Sequence, residues 1–214
     1  MRARRTIIFF GPDASGKTTQ AGLLVSHLRH QKRKVCHVWI RARHSVAFFL
    51  SEFLIRIGYF QNVKVPSGMI YKVVDSNLLR KMRRTWALIE FASVLPWIIT
   101  RVYLPRLLGK TVVAERYTID TIVYLDYWLD HDYSRSSWAR LLLGFVPKEA
   151  ILIHFDAETE TLTKRLRFDT ATQDFIVFQR REYQMFGKML GAVTVNTTEL
   201  DTRATFDKIV AAIQ

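Results

Sequence analysis

The residues with the clearest chemical meaning lie near the amino terminus, in the run Gly11-Pro12-Asp13-Ala14-Ser15-Gly16-Lys17-Thr18-Thr19. Two glycines separated by four residues, followed at once by lysine and threonine, have the spacing of a phosphate cradle. Glycine lets backbone N–H groups turn inward onto phosphate oxygens, and a helix starting at Gly16 adds the positive end of its dipole. In such a cradle Lys17 reaches the β- and γ-phosphates of ATP, and the Thr18 hydroxyl ligates Mg²⁺. A second constellation, Glu115-Arg116-Tyr117, follows the apolar run Thr111 to Ala114. A carboxylate at a strand tip beside the cradle can hold Mg²⁺ or accept the proton of an attacking group. The neighbouring arginine can hold a phosphate.

Such groups need a scaffold that brings distant segments to one edge. Short, nearly continuous apolar runs at Thr6 to Phe10, Lys34 to Ile40, Thr111 to Ala114, Ala150 to Phe155 and Ala192 to Asn196 alternate with helical patterns. The first of these helices runs from Lys17 to His30, with Leu23, Leu24 and Leu28 at helical spacing. This alternation predicts an α/β fold with a five-stranded parallel sheet covered by helices on both faces, whose ligands bind at the carboxyl ends of the strands. Both constellations follow such an end. With 214 residues, 49% of them hydrophobic, the chain is read as one domain, residues 1–214, with a helical insertion at 41–109 between strands two and three.

Charge narrows the partners. The formal net charge is +13, which attracts anions such as nucleotides, nucleic acid or a membrane surface without choosing among them. No nucleic-acid-binding motif accompanies it, and nucleic acid is not expected as a partner. Charge-free stretches such as Phe91 to Thr100 fall short of the ~20 apolar residues of a spanning helix, and Pro96 interrupts that one. Met1 to Arg5 leads directly into a strand and a glycine loop, so no signal peptide is expected, and the lone Cys36 points to an intracellular, cytoplasmic setting.

The motifs in order resemble the thymidylate kinase family: the cradle, then Glu115 to Tyr124, then Ile151 to Asp156 followed by Thr163-Lys164-Arg165-Leu166-Arg167, then Phe178 to Tyr183. The resemblance covers Arg5 to Arg29 and Thr85 to Gln214 and implies a P-loop kinase that uses ATP and Mg²⁺. It implies nucleotide binding by Gly11 and Asp13 to Thr19, with Asp13 facing the acceptor sugar, and Mg²⁺ held by Thr18 and Glu115. It further implies a Glu115-Arg116 pair where the family has Asp-Arg, and a lid at 165–175 beginning with Arg165 and Arg167. Because Ala14 stands where an arginine could follow Asp13, those lid arginines would meet the transition-state charge. Lys17, Glu115, Arg116, Arg165 and Arg167 are thus the expected catalytic set.

Three departures lie on the acceptor side. Trp39 to His44 replaces a Pro-Gly-Gly type loop, Leu88 to Trp97 lacks the family's mid-helix arginine, and Asp120 and Tyr124-Leu125 replace a serine and a Tyr-Gln pair. Arg41 and Arg43, following strand two, are the expected substitutes for the missing phosphate ligand, with Tyr117 beside them. The leading expectation is transfer of the ATP γ-phosphoryl group to a nucleoside monophosphate, most simply dTMP. A deoxynucleoside-kinase-like enzyme, a kinase of another phosphorylated acceptor and a non-catalytic nucleotide-binding module at a membrane are the alternatives, and a homodimer stays open. Within the insertion, Ala47 to Leu50 with Phe53, Leu54 and Ile57 form an apolar helical face beside Lys72, Arg80, Lys81, Arg83 and Arg84. A helical cover packed on the sheet is preferred there over a membrane surface. Asp126, Asp130, His131 and Asp132 could suggest a metal site, over which a helix end carrying solvated acids is preferred. Phe9, Phe10, Cys36, Trp39 and His154 are read as core.

Overall fold

A computed structural model describes residues 6–42, 44–64, 70–74, 76–129, 133–166 and 170–213, with side chains at 60–80 and 170–172 left aside. The elements in chain order are β1 (Thr6–Phe10), α1 (Lys17–His30), β2 (Val35–Val38), α2 (Ser45–Arg56), β3 (Phe60–Lys64), β4 (Ile70–Val74) and α3 (Ser76–Ile98). A π-helical turn (Ile99–Tyr103) leads into α4 (Leu104–Leu107). Then follow β5 (Thr111–Glu115), α5 (Thr118–Trp128), α6 (Ser137–Gly144), β6 (Ile151–Asp156), α7 (Thr159–Leu166), α8 (Thr170–Met189), β7 (Val193–Asn196) and α9 (Thr202–Ile213).

The main sheet has the order β2-β5-β1-β6-β7, and every pairing in it is parallel. This is the expected five-stranded α/β architecture. Its central strand, β1, is buried along its whole length, which is why that segment is apolar without alternation. One face packs Ile7, Phe9, Val113, Ile153 and Phe155 against α1 and α9, through Leu24, Leu28, Ile209 and Ile213. The other packs Ile8, Phe10, Val112 and Ala114 against α3, α5 and α8, through Val94, Ile98, Ile122 and Tyr183.

The insertion differs from a purely helical one. It contains an antiparallel hairpin, β3 with β4, in addition to α2 and α3, and Lys72 lies in β4. Pro96 does not end α3, which runs to Ile98 and continues through the π turn into α4. The helical stretch Lys81–Leu107 is therefore long and apolar enough to cross a membrane by length and composition, contrary to expectation. Its inner face, with Trp86, Ala87, Val94, Ile98 and Val102, belongs to the core beside the sheet.

Candidate functional site

Gly11 and Gly16 shape the loop after β1. Gly11 has φ 145°, and a Cβ there would sit 2.2 Å from the Phe155 carbonyl oxygen, so only glycine fits against β6. Gly16 has φ 90° and starts α1 with no side chain capping the exposed amides. Uncapped N–H groups at a helix start form an anion site. Ala14, also left-handed at φ 63°, completes the turn. Lys17 is 3% exposed and donates from Nζ to the Pro12 carbonyl and, at 3.1 Å, to Ser15 Oγ. Burial, helped by the Arg116 charge, lowers its ammonium to about 7.

A cavity of about 300 Å³ adjoins the loop, lined among others by Ser15, Gly16, Thr19, Arg165, Thr197 and Thr202. Arg165, at the end of α7, donates to the Thr197 carbonyl at 2.7 Å, to Thr197 Oγ1 at 3.1 Å and to the Ala14 carbonyl at 3.4 Å. Arg165, at which the lid was expected to begin, thus lines this cavity. Arg167 lies outside the described residues, and the backbone of 170–175 already belongs to α8.

On the other side of the loop, β5 brings its carboxylate to α1: Thr18 donates its hydroxyl to Glu115 Oε1, and His37 of β2 lies 3.5 Å from Glu115 Oε2. An exposed hydroxyl beside a carboxylate is a hard-oxygen pair that fits Mg²⁺.

Asp13 is the centre of the remaining cluster. Arg116 donates to its Oδ1, Arg41 lies 3.6 Å from its Oδ2, Gln179 Nε2 donates to Oδ2 at 3.2 Å, and the Asp13 N–H donates back to Gln179 Oε1 at 3.0 Å. Burial raises its carboxyl, but Arg116, Arg41 and Lys17 outweigh this and hold it well below the carboxylate range. Arg116 has φ 73°, a strained backbone for a side-chain-bearing residue, and also lies 3.5 Å from Asp120. Asp120 accepts from the Tyr117 N–H at 3.0 Å, capping α5, and from the Tyr183 hydroxyl at 3.0 Å. Burial pushes both the Asp120 and the Tyr183 groups up. The guanidinium of Arg41 sits 5.0 Å above the Tyr124 ring, and its Nε is buried with no hydrogen-bond partner among the described residues. Arg116 Nη1 has none either, its Asp120 contact being ionic.

Several expectations are corrected here. Tyr117 cannot meet an acceptor, because it is 0% exposed and its hydroxyl donates to the Phe145 carbonyl at 2.9 Å. Asp126 is not solvated: it is 2% exposed and accepts from the Ser134 N–H at 2.6 Å. Trp39 is 48% exposed rather than core, and Cys36 is only half buried. Arg43 and residues 130–132 lie outside the described residues, among which no cluster of metal-ligating side chains occurs. His154 is buried as expected, with Nδ1 3.2 Å from Thr194 Oγ1. Gln179, Tyr183 and Thr197 have no role in the sequence reading, since nothing local ties them to Asp13, Asp120 and Arg165, which lie 166, 63 and 32 positions away.

A thymidylate kinase from Ehrlichia chaffeensis has a similar structure, with a TM-score of 0.63 over 98% of each chain and 18% sequence identity. At that identity the likeness establishes the fold. No protein-family model and no curated protein matches the sequence.

Proposed function

We propose that the protein is a Mg²⁺-dependent kinase that moves the γ-phosphoryl group of ATP to a nucleoside monophosphate, most simply dTMP. The observation that carries this reading is the placement of Arg41 and Arg116 on one carboxylate, Asp13, at the edge of the phosphate loop, each with a buried nitrogen lacking a hydrogen-bond partner among the described residues. Two guanidiniums so placed suit a dianionic phosphate, which their planar forks bind bidentately.

The carboxylates favour the same acceptor class. Asp13, Glu115 and Asp120 are already engaged with arginines, Thr18 or Tyr183, and Asp13 is held firmly ionised. A nucleoside hydroxyl needs a base to take its proton, whereas a phosphate oxygen is already ionised at neutral pH. In this reading Lys17 and the amides at the start of α1 hold the donor phosphates, and Arg165 faces the transferred group from the cavity wall. Thr18 and Glu115 would hold Mg²⁺, which supplies neutralisation of charge on the phosphates. Catalysis then rests on positioning and preset charge.

The test is ADP release from the purified protein, ATP and Mg²⁺ with a panel of nucleoside monophosphates and, separately, unphosphorylated deoxynucleosides. Turnover with a monophosphate is expected, and Arg41→Ala should raise the KM for it about tenfold, about 1.4 kcal/mol of binding, with ATP binding little changed. Turnover with nucleosides alone would overturn the phosphorylated-acceptor reading. ATP binding without turnover on any acceptor would leave a non-catalytic module.

A further inference from the structure

The solvent side of the insertion is apolar where a helix cover is normally polar. On α2 and at its C-cap, Val46, Phe49, Phe53 and Ile57 are 63%, 72%, 56% and 49% exposed and recur at helical spacing, while Ala47 and Ser51 face inward. Along the neighbouring helical run, Leu88, Ile99, Leu104 and Leu107 are also exposed, and only 33% of the most apolar stretch within Lys81–Leu107 is buried. Helices that cover a sheet in water carry charged and polar residues on the outer face, and isolated chains seldom show apolar patches beyond a few hundred Å².

The two helices lie side by side and run antiparallel. Trp97 Nε1 donates to Ser45 Oγ at 2.9 Å, and the Ala47 N–H donates to Ser93 Oγ at 2.9 Å, so the carboxyl end of α2 runs toward the first turns of α3. Arg56 thereby comes to the end of the pair that carries Lys81, Arg83 and Arg84, all four exposed. Arg101, exposed at the other end, stands over the Trp97 ring at 5.2 Å. Residues 41–109 contain 11 of the 32 arginines and lysines but only 3 of the 19 acids. Of those acids, Glu90 is buried and Glu52 half buried.

We propose that the outer faces of α2 and of the Lys81–Leu107 run dock the protein on an anionic lipid surface. Aromatic and aliphatic side chains between cations are the composition of an interfacial helix, which sinks its apolar face to the acyl boundary while cations meet anionic headgroups. The helices lie on the surface and do not cross it, because the inner face of the same run is committed to the sheet. The charge also decides between lipid and a second copy of the chain. A two-fold packing of this face would set one cationic insertion against another, whereas an anionic bilayer neutralises it.

The test is co-sedimentation of the full chain with vesicles of phosphatidylcholine alone and of phosphatidylcholine mixed with phosphatidylglycerol, at low and high salt. Sedimentation velocity without lipid is run in parallel. Binding is expected only to the phosphatidylglycerol vesicles, weaker at high salt, and reduced about tenfold or more by Phe49→Ser with Phe53→Ser. Arg83→Gln with Arg84→Gln, which leaves the apolar stripe intact, should weaken it as well. A Phe49→Trp variant, whose folding is checked by its melting curve, should shift its emission to the blue on those vesicles and be quenched by brominated acyl chains. Three results overturn the proposal: no binding to anionic vesicles, binding unchanged in the double phenylalanine variant, or a dimer in solution that the same variant dissociates.

Discussion

Thr18 and Glu115, 97 residues apart in the chain, meet through a hydrogen bond from the threonine hydroxyl to the carboxylate. The contact joins the first turn of α1 to the tip of β5 and places two hard oxygens together beside the glycine loop after β1. It exists because β5 lies directly beside β1, with Phe9 opposite Glu115 in the register.

Glu115→Gln keeps the shape and removes the charge. We expect the apparent Mg²⁺ affinity in ADP release to fall about tenfold, roughly 1.4 kcal/mol, while the melting temperature without nucleotide changes little. A Mg²⁺ titration of both proteins checks this. Equal Mg²⁺ dependence in the two would remove Glu115 from the metal site.

Lys17 carries a pH signature. Its ammonium is lowered from 10.5 to about 7 in the folded protein, so between about 7 and 10.5 the unfolded chain binds the extra proton. Stability contributed by this group therefore rises with pH across that window, and below about 7 the buried charge is fully destabilising. Lys17→Met should abolish phosphoryl transfer while raising the apo melting temperature at pH 6, with the gain shrinking toward pH 10. Paired thermal melts across that range check the sign, and a gain that grew with pH would refute the assignment.

Arg165 is held by Thr197 and Ala14 at the wall of the loop cavity, which fixes its direction before any ligand arrives. If it meets charge that develops during transfer, Arg165→Ala should lower kcat by about 10³ or more and change ATP affinity much less. Steady-state kinetics with nucleotide binding by calorimetry separates the two. Comparable losses in kcat and affinity would mark it as a ground-state ligand.

His154 tests the core. Burial lowers its imidazole from 6.5 to about 4, and the ring stacks on Phe10 at 5.3 Å. Because the unfolded chain binds the proton first, stability from keeping this ring neutral is present above 6.5 and is lost as pH falls toward 4. His154→Phe should flatten that part of the acid-unfolding profile. A variant with an unchanged slope between pH 6.5 and 4 would place the acid sensitivity elsewhere.

The strands were legible because their apolar runs are short and bounded, and burial on both faces leaves little else that Thr6 to Phe10 or Thr111 to Glu115 could be. The turn after β1 was legible because its constraints are local: Gly11 and Gly16 adopt positive φ close together in the chain. The hairpin was missed, although Pro66, Ser67 and Gly68 between its strands are turn-type residues, because Phe60 to Lys64 carries polar residues that blur a strand pattern. Asp120 shows a different limit. Two of its partners, Arg116 and Tyr117, precede it in the turn between β5 and α5, but the third, Tyr183 of α8, is 63 positions away and has no signature in local spacing. Trp39 reads as core by type, yet it follows an edge strand and stays half exposed.

The close approach of Gly11 to Phe155 has a consequence for how the molecule responds to heat and to substitution. Gly11 lies two residues beyond Phe9, whose ring meets that of Phe155 at 5.0 Å in the layer against α1. The ring pair and the glycine contact therefore set one spacing between β1 and β6. A change that swells this layer would lift the glycine loop after β1 off its support. If the loop holds phosphate as proposed, affinity for nucleotide and thermal expansion of the interior become two readings of one interstrand gap, and core variants selected for stability would also be selected, unasked, for phosphate grip.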